Sequence, residues 1–329
     1  MKFSVIVPVY NRPDEVKELL ESLSKQTFTD FEVILVEDGS QVRCEEVVKT
    51  YNDKLKLSYY YKENSGPGDS RNYGIRYASS DFFVFFDSDC IIPETYFTAL
   101  TDFMARHEVE YYGGPDRAHD SFTAVQKAIN YSMTSFLTTG GIRGGSKKVI
   151  KFHPRSFNIG FSRKVYEATG GFGKMRFGED IDLSLRVEAM GFKPWLVQDA
   201  YVYHKRRLDF KKFFKQIYNS GIARINLYKR HPASLKLTHF FPSAFLLFMI
   251  VSVLASLFCW LFILPLALYL LLIVFDSLIT NKSIKVALLS VLATLVQHTA
   301  YGSGFIYSFW QRIILGKGEF EAFSKNFYK

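Results

Sequence analysis

Cysteine is scarce in this chain. Only Cys44, Cys90 and Cys259 occur, far apart and odd in number, so neither a disulfide framework nor a cysteine-based metal site is indicated. A reducing, cytoplasmic setting fits the soluble part of such a chain. The N-terminal apolar run, residues 3–10, is too short and too soon followed by charge for a signal peptide, and it predicts a first strand.

Charge is absent from two long stretches, residues 240–275 and residues 286–311. The first would be about 54 Å long as a single helix, whereas the hydrocarbon core of a bilayer is about 30 Å thick. A helical hairpin that turns between Cys259 and Pro265 is therefore the better prediction, and a buried helix of a soluble protein is the alternative. The predicted membrane region, residues 236–315, holds transmembrane helices at about 240–259, 261–280 and 286–310. The third could instead be interfacial or re-entrant.

The net charge of +9 is concentrated just before this region. Basic residues there alternate at helical spacing with aromatic and aliphatic ones, and they are Lys205, Arg206, Arg207, Lys211, Lys212, Lys215, Arg224, Lys229 and Arg230. This pattern predicts a basic amphipathic interfacial helix over residues 205–235 that meets anionic membrane lipids. No nucleic-acid partner is expected, because a membrane region follows within a few residues.

The distribution of basic residues also predicts an orientation. Together with Lys282 and Lys285, the basic helix places the N-terminal domain in the cytoplasm, as part of a multi-pass protein of the inner (cytoplasmic) membrane. The basic tail, residues 316–329, conflicts with this orientation if the third apolar stretch crosses the bilayer.

Strand and helix patterns alternate through the first part of the chain. Apolar strand patterns cover residues 3–9, 31–36, 55–61 and 82–86, and a further one covers residues 194–203. Helix patterns begin near Pro13 and at Gly66-Pro67-Gly68. The alternation predicts an α/β, Rossmann-like fold with a mostly parallel sheet and helices on both faces, followed by an α-helical membrane region.

Asp87-Ser88-Asp89 directly follows the apolar run 82–86. Such a run is typical of a strand buried on both faces, and open α/β sheets bind ligands beyond the carboxyl ends of their strands. Carboxylates are the ligands that Mg²⁺ and Mn²⁺ prefer, and these ions often share their coordination with substrate phosphates. We therefore predict a metal-bound diphosphate, with an ordinary acidic turn as the alternative. His204 is a candidate third ligand or diphosphate contact, or a structural histidine.

Two further sites carry candidate chemistry. Asp38 ends the second strand and can accept a hydrogen bond from a nucleobase, and Tyr10 offers a ring on which the base could stack. No glycine-rich phosphate loop is present, so a metal must neutralise the phosphates of any bound nucleotide. Glu179-Asp180 begins a helix, where Asp180 can act as a general base and Glu179 can bond the acceptor. Simple turn and helix-capping roles are the alternatives.

The ordered series of motifs resembles the family 2 glycosyltransferases with the GT-A fold, over roughly residues 2 to 230. The series comprises Val5-Ile6-Val7-Pro8-Val9-Tyr10-Asn11, Glu37-Asp38-Gly39-Ser40, Gly66-Pro67-Gly68-Asp69-Ser70-Arg71-Asn72-Tyr73-Gly74, Asp87-Ser88-Asp89, Asn158, Gly170-Gly171-Phe172, Glu179-Asp180 and Tyr203-His204. The resemblance implies an inverting transfer from a nucleotide-diphosphate sugar that depends on Mg²⁺ or Mn²⁺.

The resemblance also implies roles for individual residues. The nucleotide sugar would be bound by Pro8, Tyr10, Asn11, Asp38, Gly68, Arg71, Asn72, Asp87 and Ser88. Asp87, Asp89 and His204 would hold the metal, Asp180 would be the catalytic base, and Glu179 would assist it.

Processive members of this superfamily carry Gln-x-x-Arg-Trp, whereas Gln216 here is followed by Ile217, Tyr218, Asn219 and Ser220. We therefore expect one sugar to be added, by a domain over residues 1–235, to a lipid-linked or envelope glycan acceptor. Direct transfer to polyprenyl phosphate, or a catalytically silent membrane scaffold, are the alternatives. A basic, glycine-rich stretch, residues 140–148, could close over the diphosphate, meet a lipid phosphate or simply connect two elements.

Overall fold

A computed structural model describes residues 3–117, 119, 121–140, 152–205 and 209–320. These residues divide into two compact units. The first contains the described residues up to His119, residues 152–205 and Phe320, and the second contains residues 121–140 and 209–319. Most of the basic stretch at 140–148 lies outside the described residues.

The strands all belong to the first unit. They are β1 (Phe3–Val9), β2 (Phe31–Asp38), β3 (Leu57–Lys62), β4 (Phe82–Phe86), β5 (Cys90–Ile91), β6 (Tyr111–Gly113), β7 (Asp116–Arg117), β8 (Asn158–Ser162), β9 (Trp195–Leu196) and β10 (Val202–His204).

The helices of the first unit are α1 (Pro13–Leu23), α2 (Glu45–Lys49), α3 (Pro67–Arg76), α4 (Tyr96–Met104), α7 (Arg163–Thr169) and α8 (Glu179–Ala189). Those of the second are α5 (Ala124–Thr134), α6 (Phe136–Thr139), α9 (Phe210–Arg230), α10 (Phe241–Ser256), α11 (Leu264–Asn281) and α12 (Ile284–Phe309).

The main sheet of the first unit has seven strands in the order β3-β2-β1-β4-β8-β6-β9. β1 pairs in parallel with β2 and β4, and β2 pairs in parallel with β3. The predicted, mostly parallel sheet is confirmed, and β4 is fully buried, as its unbroken apolar run requires. The sequence analysis did not foresee β8, which runs antiparallel between β4 and β6.

A second, three-stranded sheet of order β5-β10-β7 corrects one sequence prediction. Residues 194–203 do not form a single strand, because β9 joins the main sheet and β10 joins the small one. The chain turns between them, where the amide of Ala200 donates to the carbonyl of Val197 at 3.2 Å. The turn matters for the site, because it lets β10 pair with β5 immediately after Asp89.

In the second unit, α5 and α9 pack with α12 around a shared apolar cluster. The cluster contains Ala128, Ile129, Met133, Phe213, Ile217, Val286, Ala293 and Ala300. The segment with α5 and α6 thus groups with the C-terminal helices, although the sequence analysis placed it within residues 1–235. The apolar stripe of α9 is covered by protein, and the exposed Lys211 and Lys212 lie on its other side.

Within the described part of the chain, three helices are long and apolar enough to cross a membrane, spanning Leu237–Ser256, Trp260–Asn281 and Ile284–Ile314. The break between the first two, at residues 257–259, meets the predicted hairpin turn at Cys259. The most apolar part of the third helix is 44% buried, compared with 11% and 17% for the corresponding parts of the first and second helices. α12 is therefore the central helix of this unit.

Glycines permit the close approach of α9 and α12. A Cβ on Gly304 would lie 2.2 Å from the carbonyl oxygen of Tyr218, and a Cβ on Gly221 would lie 2.4 Å from that of Tyr301. Both obstacles are backbone atoms, which cannot rotate away. The Gly302-Ser303-Gly304 stretch therefore serves helix packing.

We expect Gly304→Val to destabilise the second unit by about 1–3 kcal/mol, because the added side chain must push the two helices apart. Thermal unfolding of the detergent-solubilised protein would show a lower Tm. Gly318→Val is the matched control, since a Cβ there meets nothing within 4 Å. Equal Tm values for the two variants would contradict the close packing.

Candidate functional site

The carboxyl ends of β1, β2 and β4 lie side by side and carry the predicted site residues. Ile6 of β1 pairs with Phe85 of β4, and Val9 pairs with Glu37 of β2. Asp38 closes β2, while Asp87, Ser88 and Asp89 follow β4 directly. The structure thus brings together at one sheet edge residues that are about fifty positions apart in the chain.

Asp89 is buried between a basic side chain and an imidazole. Its Oδ2 accepts a hydrogen bond from Nη1 of Arg12 at 2.5 Å, and its Oδ1 lies 3.2 Å from Nε2 of His204. The pairing of His204 with Cys90 in the small sheet explains this proximity. Burial alone would lower the pKa of Arg12, but Asp89 raises it overall, so Arg12 is a fixed positive charge. Arg12 was not among the predicted site residues.

The donor atoms around Asp89 fit a hard divalent cation. Asp89, His204 and Cys90 each offer a ligand atom within 4.8 Å of the others. Burial raises the pKa of Cys90 well above its usual value, so this residue remains a thiol, and its Sγ lies 3.5 Å from the Phe157 carbonyl. A carboxylate oxygen and an imidazole nitrogen remain, a ligand set that suits Mn²⁺ or Mg²⁺ with further positions for substrate oxygens.

Asp87, the other predicted metal ligand, lies outside that group and is bound to Arg71. Nη2 of Arg71 donates to Oδ1 of Asp87 at 2.7 Å, and Nη1 donates to Oε1 of Glu179 at 3.0 Å. Arg71 is only 2% exposed and also lies over the Phe172 ring. Burial alone would lower its pKa, yet the two carboxylates raise it overall. Arg71 therefore ties the end of β4 to the start of α8.

The two acidic residues at the start of α8 are both buried but have different partners. Gly178, at φ +85°, turns the chain into the helix. Burial raises the pKa of Glu179 to about 7, although Arg71 opposes this shift. Asp180 is held by backbone amides and a more distant cation: its Oδ1 accepts from the Ile181 amide at 2.8 Å, and its Oδ2 lies 3.4 Å from the Ser156 amide and 3.5 Å from Nη1 of Arg155. Of the two carboxylates, Glu179 is paired at 3.0 Å with the buried Arg71, whereas the arginine beside Asp180 is farther away, which favours Asp180 as the proton acceptor.

Asp38 is almost fully engaged by the loop that precedes α3. It accepts hydrogen bonds from Nζ of Lys62 at 2.5 Å and from the amides of Ser65 and Gly66 at 2.9 Å each. A carboxylate has about four lone-pair sites, so roughly one remains for a ligand. Its predicted contact with a base stays a prediction, and Lys62 joins the residues that the sequence analysis missed.

Two predicted nucleotide contacts act chiefly within the protein. Oδ1 of Asn11 accepts from the amides of Gln41 and Val42, which joins the loops after β1 and β2. The amide group of Asn72 exchanges two hydrogen bonds with the backbone of Phe172, at 2.8 and 2.9 Å. Both side chains therefore position the loops that border the site.

The remaining predicted residues lie at the same edge of the first unit. Pro8 and Tyr10 are half-buried at the end of β1, and Ser88 is buried between the two aspartates. Gly68 opens α3 close to the loop before α8, where a Cβ would lie 3.1 Å from the Gly173 carbonyl oxygen. Their roles in binding stay predictions.

Proteins with similar sequences include glycosyltransferases. The chain is 40% identical over 111 residues to poly(ribitol-phosphate) β-N-acetylglucosaminyltransferase TarS of Staphylococcus aureus, covering 32% of this chain but only 19% of that protein. It is 30% identical over 210 residues to an uncharacterized glycosyltransferase of Haemophilus influenzae, covering 61% and 67% of the two chains. The match therefore spans about a fifth of the TarS relative.

Solved structures show the same fold. The mannosyltransferase PcManGT of Pyrobaculum calidifontis, solved with GDP-Man and Mn²⁺, superposes with a TM-score of 0.61 at 15% identity, over 94% of this chain and 87% of its own. Residues 1–349 of S. aureus TarS give a TM-score of 0.52 at 22% identity, over 96% and 92%. Both support the GT-A-like fold.

The residues that carry the site also fall within a known family. Residues 4–170 match the description "Glycosyl transferase family 2", which covers β1 to the end of α7 and about half of the chain. The chain belongs to glycosyl transferase family 2.

Proposed function

We propose that this protein is an inverting, metal-dependent glycosyltransferase that moves one sugar from a nucleotide-diphosphate sugar to a lipid-linked or envelope glycan acceptor. The observation that carries the proposal is the connection made by Arg71. This buried side chain joins the edge that bears Asp87 and Asp89 to the helix start that bears Glu179 and Asp180. Groups suited to a diphosphate and to a proton acceptor are thereby held within one compact unit.

The chain's own residues have separate roles in this proposal. Asp180 takes the proton of the acceptor hydroxyl as that oxygen attacks the anomeric carbon. Asp89 and His204 would hold a divalent cation, which supplies stabilisation of the negative charge on a departing diphosphate. Tyr10, Pro8 and the remaining lone pair of Asp38 would receive the base.

Membrane and acceptor assignments rest on further observations. Three helices can cross a bilayer, and the basic helix α9 precedes them in sequence, which favours the cytoplasmic face of the inner membrane for residues 1–235. The TarS relative is named for a poly(ribitol-phosphate) acceptor, and the GgaB relative of Bacillus subtilis, 36% identical over 112 residues, for minor teichoic acid biosynthesis. These names support an envelope acceptor.

A panel of UDP-, GDP- and dTDP-sugars, with Mg²⁺ or Mn²⁺ and detergent-solubilised protein, tests the activity through nucleotide release. A membrane-lipid extract is added in one arm. We expect release from at least one donor, stimulated by the extract, and a product of opposite anomeric configuration by NMR. Retained configuration would contradict inversion. Release from no donor in either arm would favour a silent scaffold, and a polyprenyl phosphate product would establish direct transfer to that carrier.

Arg12 leads to a binding prediction. Its guanidinium neutralises Asp89 in the absence of a metal, so metal must compete with a charge-assisted hydrogen bond. We expect Arg12→Gln to bind Mn²⁺ several-fold more tightly than the unsubstituted protein when no nucleotide is present, as measured by electron paramagnetic resonance titration. Arg163→Gln is the matched control, since Arg163 pairs with Asp81 before β4. Equal or weaker Mn²⁺ binding by Arg12→Gln would refute this competition.

A further inference from the structure

The segment between β7 and β8 has an unexpected place in the molecule. In sequence it interrupts the catalytic unit, yet α5 and α6 belong to the unit that contains the candidate spans. We propose that residues 128–140 are a re-entrant segment embedded in the lipid bilayer beside α11. This inference rests on the proposed function in one respect, namely that α11 crosses the membrane.

A half-buried carboxylate joins the segment to α11. Oδ2 of Asp276 accepts hydrogen bonds from the hydroxyl of Tyr131 at 2.5 Å and from that of Ser135 at 3.0 Å. An ionisable residue within a span is costly and faces protein partners rather than lipid. Asp276 meets this requirement only because α5 and α6 lie against it, so the segment lies alongside the span.

A third hydrogen bond indicates how far the segment reaches. The hydroxyl of Tyr269 donates to the carbonyl of Leu137 at 3.2 Å. Tyr269 lies twelve residues before Asn281, the last residue of α11, which corresponds to about 18 Å along the helix axis. A bilayer core is about 30 Å thick, so α6 lies beside the middle of the span and within the hydrocarbon layer.

The composition of the segment suits this environment. No charged residue occurs from position 128 to position 142. Phe136 is 75% exposed and Leu137 38%, and on α11 Leu268 and Leu272 are 60% and 55% exposed. The segment and the span therefore both present exposed apolar side chains, which makes acyl chains a fitting partner for both.

The hydroxyl groups of the segment have hydrogen-bond partners within the protein, as a lipid environment demands. The hydroxyl of Thr134 donates to the Asn130 carbonyl at 2.8 Å, and those of Thr138 and Thr139 donate to the Ser135 carbonyl at 3.0 and 2.9 Å. The Gly140 amide donates to the Phe136 carbonyl at 2.9 Å and closes the last turn. The hydroxyls of the segment thus have partners without water.

Spin labels test the inference on the full-length protein in phosphatidylcholine–phosphatidylglycerol liposomes. The background is Cys259→Ser, since Cys44 and Cys90 are buried, and its residual labelling is subtracted. Labels are placed at Phe136→Cys, at Leu272→Cys as the reference in the span and at Val42→Cys, 57% exposed, as the aqueous reference. The readout is the ratio of collision rates with oxygen and with a nickel chelate.

We expect the ratio of oxygen to nickel-chelate collision rates at position 136 to equal the ratio at position 272 and to exceed the ratio at position 42 several-fold. A label at 136 that behaves like the one at 42, while 272 behaves as lipid-exposed, would overturn the re-entrant segment alone. It would mean that Phe136 faces water or a protein partner. If the label at position 272 also behaved like the one at position 42, both the proposed membrane span and the re-entrant segment would be wrong. The two failures are therefore distinguishable.

Asp276 offers a second readout. Asp276→Leu removes the acceptor for two hydrogen bonds and is expected to shift the ratio at position 136 towards the aqueous value. Asp276→Asn keeps an acceptor oxygen and is expected to restore it. Ser135→Ala, which removes one bond only, substitutes for Asp276→Leu if that variant does not fold. No movement of the label in these variants would overturn Asp276 as the residue that positions the segment.

Discussion

Asp180→Asn is expected to reduce sugar transfer by about 10²–10⁴-fold, the usual contribution of a positioned general base. Asparagine has the same shape, and its single oxygen can keep the 2.8 Å hydrogen bond from the Ile181 amide, so that only the long contact with the Ser156 amide is lost and the start of α8 should remain intact. It cannot take a proton at neutral pH. Nucleotide binding in the presence of Mn²⁺ should therefore be unchanged by calorimetry, while nucleotide release upon addition of acceptor should be lost.

Glu179→Gln is the matched control for this experiment. Burial raises the pKa of Glu179 to about 7, so a substantial part of this group is already protonated at neutral pH and glutamine resembles that form. Glutamine also keeps an acceptor for Arg71. We expect a much smaller loss of turnover than for Asp180→Asn. The reverse order of the two losses would transfer the role of base to Glu179.

The sheet could be predicted well from sequence because its strands are strongly apolar. The run of residues 82–86 predicts a central strand, and β4 is indeed buried at every position. The short strands β9 and β10 were not told apart, because residues 194–203 were predicted as one strand. β9 and β10 contain two and three residues, too few to show a period, and they owe their existence to the partners that the tertiary fold supplies.

The residues of the candidate site also fall into those that the sequence could predict and those that it could not. Asp38, Asp87 and Asp89 were predictable because each follows an apolar strand. Arg12 and Lys62 were not, since a basic residue in a loop is common and only the folded chain shows its carboxylate partner. The packing of α5 and α6 against the apolar helices was also hidden. Their charge-free run is shorter than a span, and its contacts lie more than a hundred residues away in sequence.

Asp89→Ala is expected to abolish the metal dependence of nucleotide binding and to reduce turnover by about 10²–10³-fold, the loss typical of removing one electrostatic stabiliser of a developing charge. The substitution leaves His204 as a single ligand and leaves the Arg12 guanidinium without its carboxylate. Calorimetry with UDP and GDP, in Mn²⁺ and in EDTA, measures the first effect, and nucleotide release measures the second.

Asp81→Ala provides the control from the opposite end of the same strand. Asp81 precedes β4, its side chain is 88% exposed, and it pairs with Arg163 at the surface. An exposed ion pair contributes about 0–1 kcal/mol, so this variant should keep both metal dependence and turnover. If Asp89→Ala were as active as Asp81→Ala, or if the unsubstituted protein bound UDP and GDP equally well in EDTA and in Mn²⁺, a cation at Asp89 would have no part in the reaction. The sheet edge would then have to neutralise a diphosphate through Arg12 and other fixed cations alone.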